Sequence, residues 1–213
     1  MLARGPWRPE QVEASWRNDP YEPPEELGRL ADAAVKGLRE RGSPSHDGLS
    51  TRLVSYGENE GRLEMELQPV RWALRLIEGG ACDSLTALCV VRSADGRWLA
   101  GRRASWVSQW PNRWALGAGG AVDLGESPAE TLSRELAEEW SLEPAQLTVE
   151  ALVGLPNGMT MLVGLATVAD GSEPVPDAEH DEWAWWPADV DSWPAEAHDR
   201  LRLMGRFIAA AGD

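Results

Sequence analysis

A helix over residues 128–140 is the most strongly specified element of this chain. Ser127 is a good N-cap, Pro128 occupies the first helical position, and Glu130 completes a Ser-x-x-Glu capping box. At about 100° per residue, one apolar stripe runs along this helix and consists of Ala129, Leu132, Leu136 and Trp140. Because such a stripe must be covered, the pattern predicts a helix that packs against the core of a folded domain.

Carboxylates occupy the neighbouring sector of the same helix. Glu135, Glu138 and Glu139 share less than about a third of its circumference, and Arg134 is the only cation within residues 119–143. Like charges at these spacings repel by roughly a few tenths of a kcal/mol per pair. A hard divalent cation would remove that penalty, and Mg²⁺ favours carboxylate oxygens and often bridges a protein to substrate phosphates. The alternative is an ordinary solvated helix face.

The stretch from Gly120 to Leu142 resembles the Nudix box, GX5EX7REUXEEXGU, in which U is a bulky apolar residue. Gly120, Glu126 and the run from Arg134 to Glu139 stand at the matching positions, whereas Ser141 replaces the last glycine. That glycine ends the helix in a left-handed conformation. Serine is therefore expected to cost roughly 1 kcal/mol there or to shift the helix end, without affecting catalysis.

The resemblance implies a role for each matching residue. Mg²⁺, or alternatively Mn²⁺, would be held by Glu135, Glu138 and Glu139 and by the backbone carbonyl of Gly119. Gly120 and Glu126 would be structural parts of the box. Arg134 would orient a glutamate through a bidentate salt bridge, with Glu126 and Glu138 as the two candidates.

Two further site residues are expected outside the box. In the family, a carboxylate from a loop before the last strand often acts as a metal ligand or base, and Glu179 is the first candidate, with Glu182 second. The resemblance also suggests that Arg103, at the end of a strand, contacts substrate phosphates; an ordinary solvent-exposed arginine is the alternative. The proposed catalytic set is therefore Glu135, Glu138, Glu139, Arg134 and Glu179.

The element pattern predicts an α/β fold, with a Nudix-type α/β/α sandwich and a mixed sheet in residues 83–213. Residues 1–82 are predicted to be a small α+β extension that the resemblance does not cover. Its expected parts are an extended arm (1–22), a helix (24–41, with Leu30 on its apolar stripe) and a hairpin (50–56 and 62–68). Strands are expected at 85–91, 98–102, 147–154, 159–168 and 182–186, with a last helix opened by Pro194 and including Ala211.

The acidic balance excludes several kinds of partner. Twenty Lys+Arg against 35 Asp+Glu give a net charge of −15, which argues against nonspecific binding to nucleic acid or anionic membrane. The acidity is concentrated at residues 119–143, with a net charge of −6, and at 170–199, with a net charge of −10. No apolar run is long enough for a membrane helix and no signal core is recognised, so a cytoplasmic location is expected, with Cys82 and Cys89 as reduced thiols.

No catalytic or metal-binding role is predicted for the histidines or for the tryptophans of residues 106–114. His46, His180 and His198 are each expected at the surface or in a hydrogen bond. Trp106, Trp110 and Trp114 are expected in loop or core packing, with substrate stacking as the lesser alternative.

The preferred functional hypothesis is a Mg²⁺-dependent hydrolase that cleaves a diphosphate linkage in a nucleoside diphosphate joined to another group, or in a related small molecule. An isopentenyl-diphosphate isomerase-like enzyme is an alternative, but residues 114–118 lack the cysteine that such enzymes carry. A non-catalytic ligand sensor is a second alternative, against which the intact glutamates and the acidity both argue. Residues 24–68 would form either a homodimer interface or part of the pocket wall.

Overall fold

The computed structural model describes residues 1–42, 47–107 and 109–210, so that His46 and Ala211 lie outside the described residues. The strands are β1 (Ala3–Trp7), β2 (Val12–Trp16), β3 (Leu49–Asn59), β4 (Arg62–Arg71), β5 (Leu85–Arg92), β6 (Trp98–Arg103), β7 (Trp114–Leu116), β8 (Ala118–Ala121), β9 (Gln146–Gly154), β10 (Thr160–Thr167) and β11 (His180–Trp186). The helices are α1 (Glu25–Glu40), α2 (Pro128–Trp140) and α3 (Asp199–Ala209).

The main sheet is mixed and lies between two helices. Its strand order is β1-β9-β10-β5-β6-β11, with β8 added to β5 and β7 added to β6. β10 and β5 run parallel, whereas the other pairs are antiparallel. Apolar residues of α2 join the core on one face and those of α3 join the core on the other. This is the mixed α/β/α sandwich that the sequence predicts.

The centre of the sheet opens where the active site is expected. β5 and β6 pair with each other only at Arg92 and Trp98, and then diverge. β8 fills the gap beside β5, and β7 fills it beside β6. Gly117 joins these two short strands at a φ of 61°, where a β-carbon would collide with the Cys89 carbonyl. The glycine-bearing strand β8 is thereby placed under α2.

The N-terminal extension forms a three-stranded sheet, β2-β4-β3, together with α1. The predicted arm consists of two strands that belong to different sheets, because β1 pairs with β9 and β2 pairs with β4. Leu63, Leu67 and Leu136 share one buried cluster, so this small sheet packs on the α2 side of the main sheet. The expectation for Leu30 is wrong, since its side chain lies exposed on α1.

The last helix begins at Asp199, five residues later than the sequence pattern predicts. The guanidinium of Arg202 donates hydrogen bonds to the carbonyls of Val190, Trp193, Pro194 and Ala197 at 2.8–3.1 Å. These contacts hold the preceding segment as a loop, because they use carbonyls that a longer helix would need for its own hydrogen bonds.

Both ends of α2 agree with the sequence analysis. The Ala129 N–H donates to the Ser127 hydroxyl at 3.3 Å, and the Ser127 N–H donates to the Glu130 carboxylate at 3.1 Å. Ser141 follows the last helical residue in the left-handed conformation, with φ 53° and ψ 35°. Serine therefore adopts the backbone conformation expected of the box glycine, and the helix ends at Trp140.

Two smaller expectations can also be compared with the structure. Cys82 and Cys89 are free thiols, as predicted. Among the described residues, no helix combines the length and the apolar character required to cross a bilayer.

Candidate active site

The carboxylates of α2 lie directly on the glycine-bearing strand β8. A β-carbon on Gly120 would collide with the Glu135 carboxylate, so only glycine allows this approach. The Gly119 N–H donates to Oε1 of Glu139 at 3.1 Å, and the Thr86 hydroxyl donates to the Gly120 carbonyl at 2.5 Å. Two acidic side chains are thus held against the backbone of a central strand.

Arg134 ties together three carboxylates of the box. Its Nε and Nη2 donate to the two oxygens of Glu126 at 2.8 and 3.1 Å, which is a bidentate pair. Its Nη1 donates to Glu135 at 2.7 Å and to Glu138 at 3.0 Å. Of the two partners expected for Arg134, Glu126 therefore makes the bidentate contact and Glu138 makes a single one.

Burial divides the acids of the site into two groups. Desolvation raises the pKa of Glu139 to about 8 and that of Glu135 to about 7, in spite of nearby arginines. Burial also opposes ionisation of Glu126, but hydrogen bonds from Arg134 and Thr131 outweigh it and lower the pKa of Glu126. Two carboxyl groups that bind protons near neutral pH therefore lie beside one that stays ionised.

Arg103 extends the site away from the helix. Its guanidinium, only 15% exposed, contacts Glu179 at 2.8 Å and approaches Oε2 of Glu139 to 3.8 Å. Glu182 instead pairs with Arg102 at 2.8 Å on an exposed surface. A bulge in the β6–β11 ladder between His180 and Glu182 changes the side-chain alternation. The structure therefore brings Glu179 to the site and leaves Glu182 outside it.

The loop before β11 is attached to the C-terminal end of α2. The N–H groups of Val175 and Asp177 donate to the carbonyls of Trp140 and Glu139, both at 2.9 Å. The Glu179 carbonyl accepts from the Ala104 N–H at 2.7 Å. These contacts satisfy carbonyls that a helix end leaves free, and they position Glu179 relative to Glu139.

His180 is a residue of the site that the sequence analysis missed. Its side chain is 1% exposed, whereas a surface position was one of the two expectations. Nδ1 lies 3.2 Å from the Asp177 carboxylate, which agrees with the other expectation, a hydrogen bond. The ring packs on Trp140 with centroids 4.4 Å apart, and Nε2 lies 3.8 Å from Oε2 of Glu139. The only sequence signal was its position directly after Glu179.

The N-terminal extension carries an arginine, Arg75, whose pKa responds to the acidic helix. Arg75 follows the buried Ala73 and Leu74 in a short 3-10 turn. Burial lowers the pKa of Arg75 to about 10, and the charge of Glu135 acts in the opposite direction. The extension also reaches the box through Thr51, whose hydroxyl donates to the Asp123 carbonyl at 3.2 Å. Through Thr51, residues 1–82 therefore contact the loop that precedes the acidic helix.

Trp110 and Trp114 lie on the opposite face of the sheet, in the cluster that includes α3. Trp114 packs on Trp186 at 5.5 Å, and Trp110 packs on His198 at 4.8 Å. Trp110 and His198 line a shallow cleft of about 340 Å³ beside Arg113 and Arg200. These contacts agree with the packing role that the sequence analysis expected.

The carboxylate and carbonyl oxygens of the box suit a hard divalent cation, but the side chains are not arranged around a common point. Within the described residues, no three His, Cys, Asp or Glu side chains form a metal-binding group. Glu135 and Glu138 instead contact Arg134, at 2.7 and 3.0 Å. Glu138 is 60% exposed and can rotate away from Arg134.

One oxygen of the site supports this fit directly. Oε2 of Glu139 is buried and has no hydrogen-bond partner among the described residues. An unsatisfied buried polar atom costs about 1–3 kcal/mol, which a bound cation would offset. The ligand atoms that the box supplies are all oxygens, as Mg²⁺ and Mn²⁺ prefer.

The NUDIX domain family profile matches residues 84–202. A search of curated proteins finds no match. Among solved structures, the chain is similar to the MutT protein from Methanosarcina mazei Go1, with 20% identity, coverage of 61% of this chain and 96% of that one, and a TM-score of 0.45.

Two other solved structures show a comparable likeness. The NUDIX domain of Shewanella oneidensis NrtR, complexed with ADP ribose, is 24% identical over 60% of this chain and 88% of that one, with a TM-score of 0.47. The C. elegans Ap4A hydrolase binary complex is 20% identical over 60% of this chain and 96% of that one, with a TM-score of 0.47. The profile spans more than half of the chain and includes Gly119, Gly120 and the carboxylates of α2. This protein therefore belongs to the Nudix family.

Proposed function

We propose that this protein is a Mg²⁺-dependent hydrolase that cleaves the diphosphate linkage of a nucleoside diphosphate joined to another group, or of a related small molecule. The observation that carries the proposal is the meeting of Glu139, Glu179 and Arg103 beside β8, with one oxygen of Glu139 buried and unpartnered among the described residues. Acids and a cation gathered at one buried point suit a phosphate substrate that arrives with a metal ion.

The carboxylates of α2 would hold the cation. Glu135, Glu138 and Glu139, with the carbonyl of Gly119, are the proposed ligands, and Mn²⁺ would serve in place of Mg²⁺. When bound, the cation supplies charge neutralisation at the phosphates and acidifies water. Glu138, which is 60% exposed and pairs with Arg134, can swing toward the other two ligands.

Glu179 and Arg103 have complementary roles in this proposal. The Arg103 side chain is only 15% exposed, and its guanidinium can turn toward a phosphate oxygen. Glu179 is 37% exposed and would then be released from Arg103. A released carboxylate can accept a proton from the attacking water or serve as a further ligand. Arg134 and Glu126 act as positioning residues that hold Glu135 in place.

An activity screen tests the proposal. Nucleotide sugars, ADP-ribose, dinucleotides including Ap4A, and (d)NTPs would be incubated with the protein and Mg²⁺ or Mn²⁺, and release of phosphate or a nucleoside monophosphate would be measured. We expect activity that Glu138→Gln and Glu139→Gln abolish and that the matched control Glu143→Gln, exposed just beyond α2, retains. Full activity in both α2 variants would contradict the assigned metal site.

The geometry favours hydrolysis over the two alternatives. An isomerase of the isopentenyl-diphosphate type needs a cysteine near the box, and the nearest cysteine, Cys89, is buried in β5, where burial raises the pKa of its thiol to about 12. A non-catalytic sensor would not need Glu179 and Arg103 to face the α2 carboxylates. Binding without turnover of every compound in the screen would support the sensor and contradict the hydrolase.

The N-terminal extension is proposed to be part of the working enzyme. We assign residues 83–213 to the hydrolase domain and residues 1–82 to an extension that forms part of the pocket wall. The core that Leu63 and Leu67 share with Leu136 supports this assignment, and so does the hydrogen bond from Thr51 to the Asp123 carbonyl. A homodimer through this extension is the competing proposal, which light scattering would detect.

A further inference from the structure

The two oxygens of the Glu139 carboxylate have very different surroundings. Oε1 accepts the Gly119 N–H at 3.1 Å. Oε2 is buried and accepts no hydrogen bond from any described residue, although two nitrogens lie 3.8 Å away. These are Nη1 of Arg103 and Nε2 of His180. A buried carboxylate oxygen normally has a donor, so the local structure must account for its absence.

Arg103 is kept at this distance by another partner. Its Nη2 contacts Glu179 at 2.8 Å, so the guanidinium is directed toward the loop before β11. The strand ladder pairs Arg103 with His180, which places the two side chains next to each other on one face of the sheet, each with a nitrogen 3.8 Å from Oε2 of Glu139.

Asp177 determines which nitrogen of His180 carries the proton. Its Oδ1 already accepts the Glu179 N–H at 2.9 Å, so this oxygen is an acceptor. Nδ1 of His180, at 3.2 Å from the same oxygen, is then the donor. A neutral imidazole has only one N–H, which leaves a lone pair on Nε2. The ring therefore presents an acceptor, and not a donor, to Oε2 of Glu139.

Packing holds the ring in this orientation. The imidazole lies against Trp140, whose indole N–H donates to the Gly117 carbonyl at 3.0 Å. Gly101 packs against the same two rings, because a β-carbon there would lie 2.5 Å from Cδ2 of His180 and 2.6 Å from Cη2 of Trp140. These contacts restrict rotation of the imidazole and favour the orientation in which Nδ1 faces Asp177.

We propose that Asp177 and His180 act together as positioning residues that keep Oε2 of Glu139 free of protein donors, so that this oxygen stays available to a divalent cation. An Nε2–H group at the same place would donate to Oε2 and compete with the cation. This inference rests on the proposed function, because it concerns the same cation site. It also explains why a fully buried histidine lies beside the acidic helix.

Two substitutions of His180 separate this role from simple packing. His180→Phe keeps the ring and removes both nitrogens, so Oε2 still faces no donor. His180→Gln places an amide N–H close to the position of Nε2, where it can donate to Oε2. Mn²⁺ binding would be measured by calorimetry on the full-length protein without substrate, with thermal unfolding recorded for each variant.

We expect the Mn²⁺ affinity of His180→Phe to stay within about threefold of the wild-type value. We expect His180→Gln to bind Mn²⁺ about tenfold more weakly than the wild type. A tenfold loss is at the lower end of the losses seen when residues that orient metal ligands are replaced. Equal Mn²⁺ affinities in these two variants would overturn the proposal. So would a larger loss in His180→Phe than in His180→Gln, which would indicate that the histidine is needed as a donor. If His180→Phe does not fold, His180→Asn replaces it, because asparagine can still donate to Asp177 and leaves nothing at the Nε2 position.

A second measurement needs no metal. Long-range ¹H–¹⁵N correlation spectra distinguish the two neutral tautomers, and the His180 signals are assigned by their loss in His180→Gln. We expect the Nδ1–H tautomer, and the Nε2–H tautomer would overturn the proposal. An Nε2–H tautomer in a wild-type protein that still binds Mn²⁺ and hydrolyses its substrate contradicts this inference alone. A wild-type protein that binds no Mn²⁺ contradicts the proposed function as well.

Discussion

Gly120 lies directly beneath the carboxylate of Glu135, and no β-carbon fits between them. This contact joins the central strand β8 to the acidic helix α2 and sets the depth at which Glu135 is buried. The glycine of the box is therefore required by the side chain that lies above it. The backbone φ angle of Gly120 does not lie in the left-handed region.

Gly120→Ala is expected to displace Glu135 and to weaken the site. The added β-carbon meets the flexible end of the Glu135 side chain, so the carboxylate can move aside with little cost to the unfolding free energy. We expect a small loss in urea unfolding, together with at least about tenfold weaker Mn²⁺ binding. Gly57→Ala is the matched control, because nothing lies within 4 Å of the added β-carbon in β3. An unchanged Mn²⁺ affinity in Gly120→Ala would contradict the role of this contact.

Arg134→Lys tests the bidentate pair with Glu126. A lysine cannot reproduce the two parallel hydrogen bonds, so Glu126 and Glu135 lose part of their support. Since the Arg134 side chain is 28% exposed, we expect a modest loss of about 1–2 kcal/mol in urea unfolding. Arg97→Lys is a comparison, because Arg97 makes a largely exposed pair with Asp95. An equal loss in both variants would mean that burial adds nothing to the Arg134 pairs.

Stability without metal should fall as the pH rises from about 5 to 8. The pKa values of Glu135 and Glu139 are raised by burial to about 7 and about 8, above the value near 4.3 of an unfolded chain. The folded state then binds more protons than the unfolded state across this window, so the unfolding free energy decreases with pH. Urea unfolding in EDTA measures this slope.

The double variant Glu135→Gln/Glu139→Gln is the control for this pH dependence. Glutamine has no proton to lose, so the decrease between pH 5 and 8 should shrink. Added Mg²⁺ should stabilise the wild type most at the alkaline end, where protons compete least with the cation. A wild-type stability that rises with pH across this window would show that the two carboxyl groups are not protonated as stated.

Glu179→Gln and Glu182→Gln form a matched pair for catalysis. Glu179 faces the site through Arg103, whereas Glu182 pairs with Arg102 on the outer surface. We expect kcat to fall by about 10²-fold or more in Glu179→Gln, the usual effect of removing a proton-transfer group, and to stay near wild type in Glu182→Gln. Similar losses in both variants, measured with the substrate that the screen identifies, would place the base elsewhere.

Ser141→Gly should stabilise the protein without affecting activity. Ser141 adopts φ 53°, a conformation that costs a non-glycine residue roughly 1 kcal/mol. We expect a gain of up to about 1 kcal/mol, measured by thermal unfolding. Ser133→Gly, in the middle of α2, should instead lose about 0.5–1 kcal/mol because glycine weakens a helix interior. Destabilisation by both changes would contradict the assignment of strain to Ser141.

The sequence alone determined the features that depend on neighbouring residues. The capping box at Ser127, the helix end at Ser141 and the shared sector of Glu135, Glu138 and Glu139 follow from helix geometry, which is local and periodic. For the same reason, the box could be recognised and the family predicted before any contact was known.

The tertiary structure decided which distant groups meet. A bulge in β11 turns Glu182 away from the site, whereas Glu179 lies in it. The last helix begins later than predicted because Arg202 donates hydrogen bonds to carbonyls of the preceding loop. The burial of His180 beside Glu139 depends on Gly101 in another strand and on Trp140 in α2. Such contacts join residues far apart in the chain, and a side chain's spacing from its neighbours in sequence carries no record of them.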